Sequence, residues 1–270
     1  MGENILYALM LSLFAGCATG IGSAIAFFAK KTNTKFLSFS LGLSAGVMIY
    51  ISFMELLYEA RLGIIGITGN PTRGNIIVAA AFFGGILIAA LIDRVIPGPE
   101  NPHELHSVEE MSGQKSADHV HGLKRMGIVT AIGIAIHNFP EGIATFVSAL
   151  ESPDVGIAVA VAVAIHNIPE GIAVSVPIYY STGSRKKAFV WSFLSGLAEP
   201  LGALFAWAIL TPFLTPMLMQ CTFAIVAGIM VFISLDELLP AAHQYGHSHT
   251  AIYGLVSGMA VMALSLILLM

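Results

Sequence analysis

Long apolar stretches separated by short polar connections run along almost the whole chain. Since a helix rises 1.5 Å per residue, about 20 mostly apolar residues cross the ~30 Å hydrocarbon core of a bilayer. Eight stretches reach that length, so we expect an all-α integral membrane protein with eight transmembrane helices. Their approximate bounds are 5–29, 36–58, 75–96, 126–150, 155–178, 187–210, 217–239 and 250–270.

The composition supports this class. Only 10% of the residues are charged and 56% are hydrophobic, whereas soluble domains carry about 25% charged residues. We therefore expect residues 1–270 to form a single polytopic membrane domain that contacts the lipid bilayer and binds no nucleic acid; a homodimer stays open. Cys17 and Cys221 both lie in apolar stretches, which favours packing roles over a disulfide framework or a thiolate zinc site.

Basic residues are distributed unevenly between the connections. Ten lie in alternate connections that share one side, and two lie on the opposite side. By the positive-inside rule the side with ten is cytoplasmic, which puts both termini outside the cytoplasm. The longest connection, about 97–125, is then a flexible, histidine-containing cytoplasmic loop rather than a second domain. The ten residues are Lys30, Lys31, Lys35, Arg94, Lys115, Lys124, Arg125, Arg185, Lys186 and Lys187, and the two are Arg61 and Arg73.

One segment of the second apolar stretch recurs in the seventh. Residues 45–57, AGVMIYISFMELL, match residues 227–239, AGIMVFISLDELL. In the orientation above, the second helix runs outward and the seventh inward, so the copies have opposite topology. Inverted repeats are typical of secondary transporters, whose substrate sites lie near the midplane of the bilayer. We therefore expect an inverted repeat of helices 1–3 and 6–8 around helices 4 and 5.

A six-residue phrase occurs twice at matched depth. His137-Asn138-Phe139-Pro140-Glu141-Gly142 lies near the middle of the fourth stretch, and His166-Asn167-Ile168-Pro169-Glu170-Gly171 near the middle of the fifth. Ionisable groups inside a bilayer are costly, so a repeated set indicates a functional site. Since residues at i and i+4 share a helix face, the His and Glu of each phrase point the same way. Each proline also removes a backbone hydrogen bond and frees a carbonyl beside the histidine.

These side chains favour a divalent cation as the bound species. Glu141, Glu170 and Glu199 would repel one another in a low-dielectric interior, and no lysine or arginine lies in the middle of any apolar stretch. Imidazole, carboxylate and amide ligands without thiolate suit zinc, iron(II), manganese or cobalt. One divalent ion or a bridged pair would satisfy them. The candidate ligands are His137, Asn138, Glu141, His166, Asn167, Glu170 and Glu199, with Met48 as a further candidate.

Other polar residues lie nearer the expected membrane surfaces. Glu55 is expected near the external mouth and Asp236-Glu237 near the cytoplasmic mouth, where carboxylates would concentrate cations or simply be solvated. The loop histidines could receive or sense the metal, or could be solvated without a metal. They are His103, His106, His119 and His121, with His243, His247 and His249 after the seventh stretch.

The phrases HNFPEGIA and HNIPEGIA, with SGLAEP and ISLDELLP further on, resemble the Zrt/Irt-like protein (ZIP) family of divalent metal transporters, particularly its bacterial zinc transporters. The resemblance covers essentially all eight stretches. It implies an eight-helix protein of the bacterial inner membrane, not an enzyme, with both termini outside. It also implies uptake of Zn²⁺, and of Fe²⁺, Mn²⁺, Co²⁺ and Cd²⁺, into the cytoplasm through a binuclear midplane site formed by the seven candidate ligands.

The resemblance also implies how the protein moves and where it differs from some relatives. In this family a bundle containing helices 4 and 5 is thought to move against a scaffold, and the glycine faces Gly16/Gly20 and Gly42/Gly46 would permit close sliding contacts. Some relatives begin the helix 5 phrase with Gln-Asp, whereas this chain has His166-Asn167. That difference leaves the metal preference and the occupancy of a second metal position open.

Two other functions stay open on the residues alone. An intramembrane metalloenzyme could use the same carboxylates and imidazoles in a hydrolytic two-metal centre, although the phrase His-Glu-x-x-His is absent. A metal sensor that does not transport could use the histidine loop.

Overall fold

The computed structural model describes residues 2–28, 34–95, 117–213, 215–245 and 248–269. Every regular element in these ranges is helical, because a helix satisfies its backbone polar groups internally where lipid offers no partners. The α-helices are α1 (Gly2–Phe28), α2 (Thr34–Ile51), α3 (Leu57–Thr68), α4 (Pro71–Val95), α5 (Ala117–Glu151), α6 (Pro153–Thr182), α7 (Arg185–Gly196), α8 (Ala198–Phe205), α9 (Pro216–Ile233), α10 (Leu239–Tyr245) and α11 (Ser248–Leu269).

Seven helical segments among the described residues are long and apolar enough to cross a membrane. They are Asn4–Ala24, Ser38–Thr68, Pro71–Arg94, Pro153–Val176, Arg185–Phe213, Pro216–Asp236 and His249–Ile267. The second extends past its predicted end at 58, because α2 continues through a π turn, Ser52–Leu56, directly into α3. The predicted fourth span lies in α5 and is not among the seven.

The predicted cytoplasmic loop is shorter than expected at its C-terminal end. Helix α5 begins at Ala117, so residues 117–125 are helical and the expected loop end near 125 is wrong. His119 and His121 therefore lie in the first turns of α5. His103 and His106 lie outside the described residues.

The helices pack as two groups. Helices α1, α5, α6, α7 and α8 contact one another extensively, and we call them the motif bundle because they carry both phrases and Glu199. Helices α2, α3, α4, α9, α10 and α11 form the second group, the frame bundle. The two bundles meet mainly where α2 packs against α6, with smaller contacts from α9 to α5 and from α11 to α6. The phrase carried by α6 therefore lies beside the boundary between the bundles.

Glycine contacts hold helices together within each bundle. A Cβ atom on Gly42 would collide with the carbonyl oxygen of Ala251 in α11, and Gly46 packs against α11 in the same way. In the motif bundle, a Cβ atom on Gly16 would collide with the carbonyl oxygen of Gly196 in α7. These glycine faces therefore lie within the bundles rather than between them, and their sliding role stays a prediction. Without side chains between them, the backbones of each pair interlock and fix the two helices to each other.

The two repeated segments have the same local conformation. One contains the π turn Ser52–Leu56 after α2, and the other contains the π turn Ser234–Leu238 after α9. In each, the serine hydroxyl donates to the carbonyl of a methionine four residues earlier, at 2.7 Å in both cases. The sequence match between the two segments thus extends to their backbone conformation.

Candidate metal site

The two phrases lie on neighbouring antiparallel helices. Helix α5 ends at Glu151 and α6 begins at Pro153, and the two helices pack along each other. A proline at the first position of α6 is tolerated because its missing N–H would have no partner inside the helix. Helix α6 ends at Thr182 and is followed by Gly183, which takes a left-handed φ of 64° that suits glycine. This hairpin brings the middle of α5 beside the middle of α6.

His166 and two glutamates form the centre of the cluster. Nε2 of His166 lies 2.9 Å from Oε1 of Glu170, one turn further along α6, and 3.8 Å from Oε1 of Glu141 on α5. Nδ1 of the same ring lies 2.8 Å from the hydroxyl oxygen of Ser44 in α2. The predicted pairing of His166 with Glu170 on one helix face is confirmed. The hairpin adds a carboxylate from the other phrase to the same imidazole.

The two asparagines connect the phrases to other helices. In the amide orientation that satisfies its neighbours, Asn138 donates from Nδ2 to Oε2 of Glu170 at 3.3 Å. Asn167 donates from Nδ2 to the carbonyl oxygen of Ala15 in α1 at 2.9 Å, and to Oε1 of Glu199 in α8. Asn167 therefore joins α1, α6 and α8, and it brings Glu199 to the cluster.

Two oxygen atoms beside this contact accept no hydrogen bond. They are Oδ1 of Asn167 and Oε2 of Glu199, and both side chains are fully buried. A buried acceptor without a donor costs about 1–3 kcal/mol. A cation would remove that cost, because its positive charge takes the place of a hydrogen-bond donor. These two oxygens are the strongest indication that the cluster is built to hold a cation.

The cluster concentrates negative charge in the interior. Glu141, Glu170 and Glu199 are 1%, 4% and 0% exposed, and Glu199 lies close enough to the other two for their charges to interact. No lysine or arginine is found among the buried side chains of the described residues. Ionised carboxylates buried in this way require a positive partner, and His166 supplies at most one charge.

The ligand atoms do not yet share one coordination centre. Within the described part of the chain, no three His, Cys, Asp or Glu side chains form a ready-made metal-binding group. The imidazole nitrogen of His166 and the carboxylate oxygen of Glu170 lie 2.9 Å apart. Two tetrahedral zinc ligands, each about 2.0–2.2 Å from the ion, lie roughly 3.3 Å from each other, so this pair needs only a small separation to bind one metal ion.

Two further predicted ligands lie near the cluster. His137 lies in α5 directly before Asn138, and its side chain is outside the described part of the structure. Met48 is fully buried in α2, one turn after Ser44, so it shares the helix face that meets His166. Ligand roles for both residues stay predictions.

Glu55 differs from its expected position. It is 6% exposed and lies in the π turn after α2, 13 residues before the end of its span at Thr68. Its entrance role stays a prediction, since the helix continues beyond residue 58 and Glu55 lies further inside its span than expected. Asp236 is exposed at the end of its span, and Glu237 follows it in the same π turn; their place near the cytoplasmic mouth stays a prediction.

Three contributors to the polar cluster or to the membrane surface escaped prediction. Ser44 carries no motif, since a lone serine in an apolar helix is usually a packing residue. Ala15 acts through its backbone carbonyl, which its residue type does not reveal. Asp93, in α4, lies close enough to Asp236 for their charges to interact. Its position at the polar end of an apolar span was a signal that could have singled it out.

Comparison with known proteins gives one consistent result. The model of the ZIP zinc transporter family matches residues 97–266. Zinc transporter ZupT of Oceanobacillus iheyensis is 61% identical over 267 residues, covering 99% of both chains. Zinc transporter ZupT of Lysinibacillus sphaericus is also 61% identical, over the full length of both chains, and that of Nitratidesulfovibrio vulgaris is 57% identical over 98% of both.

The chain is therefore a multi-pass membrane protein that belongs to the ZIP zinc transporter family. The resemblance seen in the paired phrases is confirmed over nearly the whole chain. This family consists of transporters, so the protein is not an enzyme.

Proposed function

We propose that this protein carries divalent metal ions, with Zn²⁺ as the main substrate, across the bacterial inner membrane into the cytoplasm. The observation that carries the proposal is the pair of buried acceptors, Oδ1 of Asn167 and Oε2 of Glu199, beside two further buried carboxylates. The relatives that share most of its sequence are named zinc transporters. Fe²⁺, Mn²⁺, Co²⁺ and Cd²⁺ are proposed as further substrates, because nitrogen and oxygen ligands discriminate poorly among these ions.

The proposed binding set contains His137, Asn138, Glu141, His166, Asn167, Glu170 and Glu199. Zinc in proteins usually takes about four ligands, so seven candidates exceed the need of one ion. Two ions bridged by a carboxylate would use the set more fully and would also neutralise more of its negative charge. A bound-metal measurement on the purified protein should therefore give two Zn²⁺ per chain. A value of one per chain would indicate that Glu199 only positions Asn167.

The proposed topology has eight spans and both termini outside. Helix α5 has 35 residues, enough for about 50 Å at 1.5 Å per residue, and it lies antiparallel to the spanning helix α6. Adding it to the seven apolar spans gives an even number of crossings. The distribution of basic residues then favours external termini. A C-terminal alkaline phosphatase fusion should be active and a C-terminal green fluorescent protein fusion dark; the reverse pattern would contradict this orientation.

The proposed route crosses the boundary between the bundles. The substrate reaches the cluster from outside past Glu55, and leaves past Asp236, Glu237 and Asp93. Movement of the motif bundle against the frame bundle would open one side at a time. The dense glycine contacts within each bundle, and the narrower contact of α2 with α6 between them, support motion of two rigid bodies. The protein is also proposed to form a homodimer. Light scattering of the detergent-solubilised protein would measure its mass and test this.

The test of the function is uptake of radioactive zinc into proteoliposomes. Glu199→Gln preserves the size of the side chain and removes its charge, and we expect a loss of at least roughly 10-fold in initial uptake. Glu151→Gln is the matched control, because Glu151 is an exposed glutamate in the same motif bundle, at the end of α5. It should transport like the wild type.

The outcomes separate the candidate functions. Wild-type accumulation with loss in Glu199→Gln supports transport through the cluster. Equal accumulation in both variants and the wild type would refute the proposed ligand role of Glu199. Zinc binding without accumulation by any variant would instead indicate a sensor.

A further inference from the structure

Ser44 contacts the candidate metal ligands from the opposite bundle. It lies in α2 of the frame bundle and is fully buried, and its hydroxyl oxygen is 2.8 Å from Nδ1 of His166. His166 lies in α6 of the motif bundle. The hydrogen bond therefore crosses the boundary where the two bundles meet.

The contact fixes which nitrogen of His166 faces the carboxylates. With Nδ1 held by Ser44, Nε2 is turned toward Glu170 at 2.9 Å and Glu141 at 3.8 Å. A metal-binding imidazole is normally oriented by a hydrogen bond from its other ring nitrogen, which also determines the tautomer. Ser44 occupies the position of such an orienting partner.

A hydroxyl suits this position because it can donate or accept. In the neutral ring that carries its hydrogen on Nε2, Nδ1 has a lone pair and can accept the hydrogen of the Ser44 hydroxyl. When Nε2 binds a metal through its lone pair, the proton resides on Nδ1 and the Ser44 oxygen accepts it. The hydroxyl can serve both arrangements by rotating, without any shift of the backbone.

Another serine of the same helix provides an internal comparison. Ser38 is also fully buried in α2, and it donates to the carbonyl oxygen of Ala242 in α10 at 2.6 Å. Both helices of that contact belong to the frame bundle. Two buried serines of one helix therefore differ in what they join: Ser38 connects helices within a bundle, whereas Ser44 reaches a candidate ligand in the other bundle.

We propose that Ser44 is a positioning residue for the transported metal, which presents Nε2 of His166 to the substrate from across the bundle boundary. The inference rests on the proposed function, because it assigns Ser44 to the same cluster. It predicts that metal affinity depends on a residue that contacts no metal and that lies outside both phrases.

The first test is zinc uptake kinetics in proteoliposomes. Ser44→Ala should raise KM for Zn²⁺ by roughly 10-fold or more, in line with the loss of an orienting partner at other metal sites, with Vmax little changed. Ser44→Thr keeps the hydroxyl and should recover most of the affinity. Ser38→Ala loses a buried hydrogen bond of the same helix and should leave KM unchanged. An unchanged KM in Ser44→Ala, or an equal rise in Ser38→Ala, would overturn the proposal.

The second test asks whether Ser44 acts through His166. If it does, Ser44→Ala added to His166→Ala should not weaken Zn²⁺ binding to the purified protein beyond the value for His166→Ala alone, a comparison that needs no uptake by either variant. Additive effects would show that Ser44 acts by another route, and would overturn the proposal even if Ser44→Thr is poorly folded. If His166→Ala and Glu199→Gln both transport normally, the proposed function itself fails. If both lose uptake while Ser44→Ala keeps its KM, only the role of Ser44 fails.

Discussion

Gly142→Ala should abolish most transport although it replaces none of the candidate ligands. Gly142 follows Glu141 in α5 and packs against Glu199 in α8. A Cβ atom at this position would lie 2.6 Å from the carbonyl carbon of Glu199 and 2.7 Å from its Cα atom, and closer still to its carbonyl oxygen. Ordinary contact begins at 3.4 Å, so the shortfall is 0.8 Å at the carbonyl carbon and larger at the oxygen.

The neighbour in this contact is backbone and cannot rotate away. We therefore expect α8 to move away from α5 by roughly 1 Å, at a cost of about 1–3 kcal/mol for overpacking. The protein should still fold and insert. However, Glu199 moves with α8, and a displacement of this size costs on the order of 100-fold where several groups must meet one reacting centre. We expect initial zinc uptake to fall by roughly 10-fold to 100-fold.

The assay is zinc uptake at equal amounts of reconstituted protein. Gly84→Ala in α4 is the control, since a Cβ atom there meets nothing within 4 Å. It should transport normally. Wild-type uptake by Gly142→Ala, with the variant correctly folded, would show that the distance between α5 and α8 is not critical and would refute the reasoning.

Three further predictions concern stability and the cytoplasmic surface. Thr145→Val should raise the free energy of unfolding by about 1–2 kcal/mol, because the Thr145 hydroxyl is buried without a partner; thermal melting in detergent tests this, and a lower melting temperature would contradict it. Gly183→Ala should lower stability in the same assay by about 1–2 kcal/mol, since alanine is strained at a φ of 64°, and an unchanged melting temperature would argue against that conformation. Asp93→Asn should slow uptake by up to roughly 10-fold at low ionic strength by weakening the field beside Asp236; high salt should remove the difference, and a salt-independent loss would exclude an electrostatic cause.

The sequence was sufficient for the parts of the fold that depend on local pattern. Apolar length located seven of the membrane spans, and the short Ser152 connection identified α5 and α6 as antiparallel neighbours. The i, i+4 spacing placed His166 and Glu170 on one face, as the structure has them. These successes share a cause, since helix geometry fixes relations within a helix and between helices joined by a tight turn.

Relations between distant helices escaped the sequence for the opposite reason. Which helix Gly42 packs against depends on how both bundles assemble, and the pattern of small residues indicates close packing without identifying the partner. The contact of Ser44 with His166 joins residues 122 positions apart, so no spacing rule could reveal it. The depth of Glu55 was misjudged because a π turn left no trace in the apolar pattern.

Those π turns have a consequence for how the two repeated helices are interpreted. Relative to an α-helix, a π turn accommodates one extra residue, which rotates everything beyond it by about 100° about the helix axis. The residues that face neighbouring helices recur with α-helical spacing before Ser52. After Leu56 the same spacing resumes, but shifted by one position in the sequence. Deleting one residue within the turn would restore a continuous α register and swing Ala60 and Ile64, both buried, out of the interior. The π turn Ser52–Leu56 therefore sets a fixed rotation between the faces of α2 and α3. The π turn Ser234–Leu238 sets the same rotation between α9 and α10.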